Sequence, residues 1–256
     1  MTTLRTPDGV VYYEVRGNGP LLILTGSPMA ARFFAPLADA LANEYTVVTN
    51  DPRGISGSVL DDPAQDSTPD LRADDLAALI AALGFANADV FGSSGGGMTG
   101  LALAARYPDL VRTLVAHEPP VIEFLPDAAD ERVAFEGIVE TFHRDGVGAA
   151  MRRFLAQIGL DAGGDGPEPS EEDLADSRRF FAHEFLGTTR YVPDVEKLKA
   201  VRVVVGVGAT SGDQLAARTA RALADRLDVE PVVFPGGHGG FLEDTAGFAE
   251  VLRGVL

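Results

Sequence analysis

Short apolar runs that favour strands alternate with helical patterns through most of this chain, and that alternation constrains its fold more than any other feature of the sequence. Parallel strands need a crossover between them, usually a helix, so a repeated strand-helix order predicts a mostly parallel sheet with helices on both faces. The predicted strands are 45–50, 88–92, 111–117, 201–207 and 229–234, and the predicted helices are 71–83, 97–106, 214–227 and 241–252. The fold class is therefore α/β.

Two further β-rich runs open the chain, at residues 10–15 and 21–25. Gly17-Asn18-Gly19-Pro20 lies between them, and this composition is typical of tight turns because glycine and asparagine tolerate positive φ. We therefore expect the two runs to pair as a hairpin.

A long interval separates residue 118 from the next strand-like run at 201–207, too long for an ordinary connection. Apolar residues recur at helical spacing in 132–144, 149–158 and 171–186, and the glycine- and proline-rich stretch 159–170 lies between the last two. The sequence therefore predicts a core of residues 1–118 and 201–256 and an inserted helical cap of residues 119–200, with a flexible joint at 159–170.

Charge and composition exclude several classes of function. The formal net charge is -17, whereas a nucleic-acid-binding protein needs a basic face to replace phosphate counterions, so no such partner is expected. The absence of cysteine excludes disulfides, thiolate nucleophiles and sulfur-ligated metals. With no signal peptide and no run of about 18 apolar residues, we expect a soluble cytoplasmic protein without a membrane partner. A homodimer is compatible with the sequence, which does not determine the oligomeric state.

The segment Gly92-Ser93-Ser94-Gly95-Gly96 lies between a predicted strand and a predicted helix and fits the pattern G-x-S-x-G. On such a turn the serine has a strained backbone conformation, and the residues two positions away must be small because Cβ atoms there would collide. The hydroxyl of Ser94 would then project outward as a nucleophile. The NH of Gly95, at the helix N-terminus, is placed to receive a developing oxyanion.

A serine nucleophile needs a base, and four histidines are available: His117, His143, His183 and His238. His238 follows the last predicted strand in Pro-Gly-Gly-His-Gly-Gly, an irregular loop on the same edge of the sheet as Ser94. His143 and His183 lie in predicted cap helices, where a solvated or structural role is more common. His117 is expected to pack on the opposite face of its strand from Glu118. His238 is therefore the predicted base.

In their order along the chain these motifs resemble those of the α/β-hydrolase family, over nearly all of the chain except the cap. Residues 51–58, Asp-Pro-Arg-Gly-Ile-Ser-Gly-Ser, are similar to the family's D-x-R-G-x-G-x-S loop, with Ser56 where glycine is usual. Residues 25–28, Thr-Gly-Ser-Pro, correspond to its oxyanion loop, with Thr25 in place of histidine. The resemblance implies that the NH of Ser27 is a second oxyanion donor, beside Gly95.

Two residues are candidates for the acid that hydrogen-bonds to the catalytic histidine. The family usually carries it shortly after the strand matching 201–207, where this chain has Ser211; Asp213 lies two residues further on, and is as readily explained as a helix cap. Glu118 ends the strand 111–117, where a minority of the family carries its acid, and two prolines after it stop the chain from continuing as a helix. From the elbow to H-E-x-P the chain resembles zearalenone-type lactone hydrolases, whose acid is this glutamate. We therefore prefer Glu118, with Asp213 as the alternative.

Together these residues predict a serine hydrolase that cleaves a carboxylic ester or lactone of a small to medium apolar substrate through an acyl-enzyme, with no metal and no cofactor. Aromatic side chains of the cap would suit an apolar substrate, although any one of them could instead pack the cap. They include Phe124, Phe142, Phe154, Phe180, Phe181 and Phe185.

Two alternatives use the same sequence differently. Gly95-x-Gly97-x-x-Gly100 follows a strand and opens a helix, with Glu118 about 20 residues later, which also fits the fingerprint of an NAD(P)-binding oxidoreductase. A second alternative is a non-catalytic member of the fold that binds a ligand in the same pocket, because a fold does not by itself fix a function.

Overall fold

A twisted sheet of nine strands forms the centre of the computed structural model, which describes residues 2–160 and 168–256. Its strand order is β1-β2-β4-β3-β6-β7-β8-β9, with β5 pairing beside β2. Strands β4, β3, β6, β7, β8 and β9 run parallel, whereas β1, β2 and β5 pair antiparallel. The strands are β1 (Thr2–Thr6), β2 (Gly9–Arg16), β3 (Leu21–Thr25), β4 (Thr46–Asn50), β5 (Val59–Leu60), β6 (Ala88–Ser93), β7 (Val111–His117), β8 (Arg202–Gly208) and β9 (Val232–Phe234).

Helices cover both faces of this sheet, which confirms the predicted α/β class. In β3 every residue is buried, and successive side chains point to opposite faces: Leu21 and Ile23 pack toward α2, α3 and α9, while Leu22 and Leu24 pack toward α1 and α11. The helices are α1 (Ala35–Leu41), α2 (Pro69–Ala82), α3 (Gly95–Arg106), α4 (Ala128–Asp145), α5 (Val147–Gln157), α6 (Glu171–His183), α7 (Phe185–Thr189), α8 (Val195–Leu198), α9 (Leu215–Leu227), α10 (Gly240–Glu243) and α11 (Thr245–Val255).

The hairpin predicted between residues 10–15 and 21–25 is wrong, because β4 lies between β2 and β3. The apolar residues 21–24 of β3 are buried because this strand has parallel neighbours on both sides, β4 and β6, whereas β2 pairs antiparallel with β1, β4 and β5. Gly17 and Gly19 still have positive φ values, of 74° and 156°. A Cβ atom on Gly17 would overlap the carbonyl oxygen of Ala42, and one on Gly19 that of Glu44. These glycines therefore allow close packing against the loop before β4.

Several element boundaries also differ from the predictions. The predicted helix 171–186 is two helices, α6 and α7, because the backbone breaks at Glu184. The predicted helix 241–252 is likewise divided into α10 and α11 at Asp244. Helix α3 begins at Gly95 rather than residue 97, and β9 begins three residues later than predicted. Strand β1 and helix α1 have no counterpart among the predicted elements.

Within the predicted cap, residues 119–200, helices α4 to α7 contribute most of a third buried apolar cluster, which Leu215 of α9 joins from the core. Polar contacts tie this region to the loops of the sheet. The NH of Ser56 donates to Asp176 of α6 at 2.7 Å, and Arg32 contacts Asp173 of the same helix at 2.6 Å. Of the predicted joint, residues 161–167 lie outside the described residues. In the described part of the chain, no helix is long and apolar enough to cross a membrane.

The packing at Gly17 predicts the outcome of a matched pair of substitutions. Gly17 and Gly84 have nearly the same φ, 74° and 77°, but a Cβ atom on Gly84 would have nothing within 4 Å. Gly84→Ala should therefore cost only the backbone strain, about 1–2 kcal/mol. Gly17→Ala should cost a further ~1–3 kcal/mol because of steric overlap. Urea unfolding of both variants measures the difference, and equal losses would contradict the packing argument.

Candidate active site

Ser94 lies on a sharp turn between β6 and α3, as the G-x-S-x-G pattern predicts. Its φ and ψ are 54° and -122°, a conformation that a residue with a side chain rarely adopts, and its NH donates to the carbonyl of His117 at 2.9 Å. A Cβ atom on Gly92 would overlap the carbonyl oxygen of Gly96, and one on Gly96 would overlap that of Thr25. The turn can therefore form only with glycine on both sides of the serine.

Glu118 contacts His238 across the C-terminal edge of the sheet. Nδ1 of His238 lies 2.7 Å from Oε2 of Glu118, and the NH of Gly208 donates to Oε1 of Glu118 at 2.9 Å. The Glu118 side chain is fully buried and that of His238 is 12% exposed. Glu118 itself has a φ of 46°, and its NH donates to the carbonyl of Gly206 at 3.0 Å. The backbone turns away from β7 at this residue, and both carboxylate oxygens are hydrogen-bonded.

This arrangement keeps the carboxyl of Glu118 ionised. Burial by itself raises the pKa of Glu118, but the hydrogen bond from His238 and the nearby ring charges outweigh it and lower the pKa to about 2. An ionised carboxylate only accepts hydrogen bonds, so Nδ1 of His238 carries the proton of this contact, and in the neutral imidazole the lone pair is then on Nε2. Among the described residues, hydrogen bonds join His238 to Glu118 but not to Ser94, which lies on the same cavity wall.

Asp213, the alternative acid, is not part of this arrangement. Its side chain is fully exposed, and its carboxylate is 3.6 Å from Arg221. It does not cap the following helix either, because the N-cap residue of α9 is Gln214. Ser211, at the position where the family usually has its acid, is buried, and its hydroxyl has no hydrogen-bond partner among the described residues.

The two predicted oxyanion donors lie against each other. A Cβ atom on Gly95 would sit 2.6 Å from the carbonyl oxygen of Ser27 and 2.9 Å from its hydroxyl, so only glycine permits this approach. The NH of Gly95 is in the first turn of α3, where no intrahelical acceptor exists. Both residues line the same cavity as Ser94 and His238. The sequence pattern did not reveal that the Ser27 hydroxyl donates to Glu184, a buried carboxylate of the predicted cap.

The cavity holds about 280 Å³ and lies between the sheet edge and the helices of the predicted cap. Its wall is mostly apolar, and the ionisable side chains that line it, within residues 2–160 and 168–256, are Glu118 and His238. Of the six phenylalanines considered in the sequence, Phe154, Phe180 and Phe185 line the cavity, whereas the others pack outside it. Aliphatic and thioether side chains complete the wall, among them Met151, Leu155, Ile158, Leu215 and Leu242.

The glycines of the possible dinucleotide fingerprint have other roles in this fold. Gly95 accommodates Ser27, Gly97 lies against Pro119, and a Cβ atom on Gly100 would be 2.5 Å from Leu114. Glu118, which would have to bind a ribose hydroxyl, is buried with both oxygens already hydrogen-bonded. The geometry therefore does not favour the NAD(P) alternative. No group of three or more potential metal-ligating side chains occurs in the part of the chain that the structure describes.

The other three histidines are not among the described residues that line the cavity. His143 is exposed on α4, and Nδ1 of His183 is 3.1 Å from Asp66. His117 is packed, as predicted, among Phe91, Phe234 and Phe248, with ring centroids 5.3–6.2 Å away. Both of its ring nitrogens lack a hydrogen-bond partner among the described residues, and burial lowers its pKa to about 4.

A mostly parallel sheet with helices on both faces, and a serine on the turn between β6 and α3, constitute the α/β-hydrolase fold. A model of the α/β hydrolase fold family matches residues 19–158. The uncharacterized hydrolase YraK of Bacillus subtilis (strain 168) is 33% identical over 262 residues, which cover 99% of this chain and 95% of YraK. The chain therefore belongs to the α/β hydrolase fold family, and the family resemblance of its motifs is confirmed.

Solved structures agree with this assignment at the level of the fold. A thermophilic esterase from Thermogutta terrifontis has a TM-score of 0.76 at 23% identity, covering 99% of this chain and 95% of the esterase. Est816, described as an N-acyl homoserine lactone degrading enzyme, has a TM-score of 0.74 at 20% identity, with all of both chains covered. The fold of this chain is thus shared with esterases and lactonases.

The burial of neutral His117 predicts how stability depends on pH. The pKa of this side chain is about 4 in the folded protein and 6.5 when it is free in water, so the folded state binds fewer protons between these values and stability falls as the pH drops through them. His117→Phe should therefore reduce the loss of unfolding free energy between about pH 7 and pH 5 by ~2 kcal/mol. Protonation of Glu118 contributes little between pH 7 and pH 5, because most of its loss falls below the unfolded pKa of 4.5.

Chemical denaturation at several pH values measures this effect. The control is His143→Gln, which removes an exposed histidine and should leave the pH dependence unchanged. A His117→Phe variant with the same pH dependence as the wild type would show that His117 is not the group responsible.

Proposed function

We propose that this protein is a serine hydrolase that cleaves a carboxylic ester or lactone of a neutral, apolar substrate. The observation that carries the proposal is the 2.7 Å contact between Glu118 and His238 on the cavity that Ser94 also lines. An ionised carboxylate behind the imidazole leaves Nε2 as the base, which is the arrangement that activates a serine hydroxyl. The esterase and lactonase neighbours support the same class of reaction.

In the proposed reaction Ser94 attacks the carbonyl carbon and its proton passes to Nε2 of His238. The resulting oxyanion accepts hydrogen bonds from the NH groups of Gly95 and Ser27, while Glu118 stabilises the imidazolium. Collapse of the tetrahedral intermediate expels the alcohol, which takes the proton from His238, and leaves Ser94 acylated. Water then attacks the acyl-enzyme with His238 as base, releasing the acid and restoring the serine. No cofactor enters this scheme.

Substitution of the proposed triad tests the function directly. Ser94→Ala and Glu118→Gln should each lower kcat for a chromogenic p-nitrophenyl ester by about 10⁴-fold, since the first removes the nucleophile and the second leaves the histidine without its carboxylate. Circular dichroism checks that both variants fold. Asp213→Asn is the matched control and should stay within about twofold of the wild type, because Asp213 is exposed and paired with Arg221.

The results separate the alternatives. A loss in Asp213→Asn comparable to that in Glu118→Gln would overturn the choice of acid. Substantial turnover by Ser94→Ala would remove the nucleophile assignment. A wild-type protein that binds ester or lactone substrates without turning them over would be a non-catalytic member of the fold.

The cavity wall also predicts selectivity for neutral acyl groups. A substrate carboxylate buried among Phe154, Phe180 and Phe185 would have no positive partner within the described wall, at a cost of several kcal/mol. The kcat/KM for p-nitrophenyl butyrate should therefore exceed that for p-nitrophenyl hemisuccinate by about 10²-fold or more. Because the chain carries a net charge of -17, both substrates should be compared at low and high salt. Salt weakens the long-range repulsion between the acidic protein and the anionic substrate, but it does not remove the cost of burying the substrate carboxylate. A preference for the butyrate that disappears at high salt would therefore contradict the prediction.

A further inference from the structure

Glu184 lies where the predicted helix 171–186 breaks. It ends α6 and precedes α7, with φ and ψ of -130° and -43°, and its side chain is directed inward so that the residue is only 1% exposed. The next residue, Phe185, lines the cavity. A carboxylate is almost never buried to this degree without partners, so the contacts of Glu184 indicate what holds it there.

Two side chains from the core contact Glu184. The hydroxyl of Ser27 donates to its Oε1 atom, and Nη1 of Arg72 on α2 lies 3.6 Å from the same oxygen. Oε2 has no hydrogen-bond partner among the described residues. The carboxylate thus joins the loop that carries the proposed second oxyanion donor to a buried positive charge.

Arg72 is itself fixed in place by hydrogen bonds from its three nitrogens. Nε donates to Thr99 of α3 at 2.9 Å, Nη1 donates to the hydroxyl of Ser67 at 3.0 Å, and Nη2 donates to Thr188 of α7 at 2.9 Å. Thr99 is in the helix that begins at the elbow, and Thr188 lines the cavity. The Glu184–Arg72 pair therefore connects the cap helix α7, the elbow helix and the oxyanion loop.

A gain in stability does not by itself explain why Glu184 and Arg72 are buried together. The cost of removing two charges from water commonly equals or exceeds their attraction, and an apolar pair of similar size often serves stability as well or better. What the group does provide is a fixed position for Ser27, whose carbonyl and hydroxyl lie against the backbone of Gly95 with no room for a Cβ atom between them. A shift of the Ser27 hydroxyl would therefore change the distance and the angle between the NH groups of residues 27 and 95.

We propose that Glu184 is a positioning residue for the oxyanion hole: by accepting the hydrogen bond of the Ser27 hydroxyl, it holds the NH of Ser27 at the place where the oxyanion develops. This inference rests on the proposed hydrolase function. It also makes the oxyanion hole depend on the cap, because the acceptor belongs to the α6–α7 junction and not to the sheet core. Catalysis then requires the cap to be seated with Glu184 beside Ser27.

Three single substitutions and one double variant at the Ser27–Glu184 hydrogen bond test the proposal. Ser27→Ala removes the donor and leaves the ion pair with Arg72, while Glu184→Met removes the acceptor with little change in volume. Each should lower kcat for p-nitrophenyl butyrate by about 10- to 100-fold with KM within about threefold, because a displaced donor weakens transition-state binding more than substrate binding. The double variant should be no slower than the slower single variant. Glu184→Gln keeps an acceptor oxygen and should retain kcat within about threefold.

Binding of a trifluoromethyl ketone, whose adduct with Ser94 places an oxyanion in the hole, provides a second readout. In the variants the affinity for this ketone should fall by about the same factor as kcat. If the role of Glu184 were purely structural, the melting temperature would fall but the affinity and kcat would not fall together. Glu172 is an exposed glutamate on α6. Glu172→Met is therefore the control for replacing Glu184 by methionine, and it should match the wild type in kcat and in affinity for the ketone.

The outcomes are distinguishable. A wild-type protein without ester turnover would refute the proposed function and this inference with it. If the wild type is active, unchanged kcat in Ser27→Ala, or additive losses in the double variant, would overturn the role of Glu184 alone. If Glu184→Met does not fold, Ser27→Ala and Glu184→Gln decide the question, since the first must lose kcat and the second must keep it.

Discussion

The backbone contact at Gly96 is the constraint on which the site depends. Helix α3 approaches strand β3 so closely that a Cβ atom on Gly96 would overlap the carbonyl oxygen of Thr25, and the same turn brings Gly92 against the carbonyl of Gly96. This approach goes together with the positive φ of Ser94, whose side chain lines the cavity at the sheet edge. It also sets the start of α3 against Ser27. The positions of the proposed nucleophile and of the proposed oxyanion donors thus follow from one close contact between a strand and a helix.

A positive φ recurs at Glu118, directly after the strand next to the elbow. Ser94 and Glu118 have φ values of 54° and 46°, and such conformations cost of order 1–3 kcal/mol each for residues with side chains. The two are linked through β7, since the NH of Ser94 donates to His117 and Glu118 follows directly. Two of the four non-glycine residues with positive φ in the described part of the chain therefore lie at neighbouring strand ends, where the proposed chemistry takes place.

The parts of this protein that the sequence predicted are those encoded locally. The strand-helix alternation, the glycines around Ser94 and the glutamate after β7 are all short-range patterns, whereas the preference for Glu118 over Asp213 also depends on the family resemblance. The position of β4 between β2 and β3 could not be predicted from such patterns, because turn composition is similar in a hairpin and in a close crossing of loops. The break at Glu184 was missed for a related reason. Its cause is contact with Ser27 and Arg72, which are more than 100 residues away along the chain and leave no periodic signal near residue 184.

The contact of Glu118 with His238 has a consequence for engineering the loop between β8 and α9. In the usual arrangement of the family this loop holds the acid, so its length and sequence are restricted by catalysis. Here the proposed acid is anchored after β7, and Asp213 projects fully into solvent at the tip of the loop. Residue 213 is therefore a suitable place to attach a fluorophore or a surface linker. Since the chain has no native cysteine, a single thiol introduced there would be labelled uniquely, close to the cavity yet outside its wall.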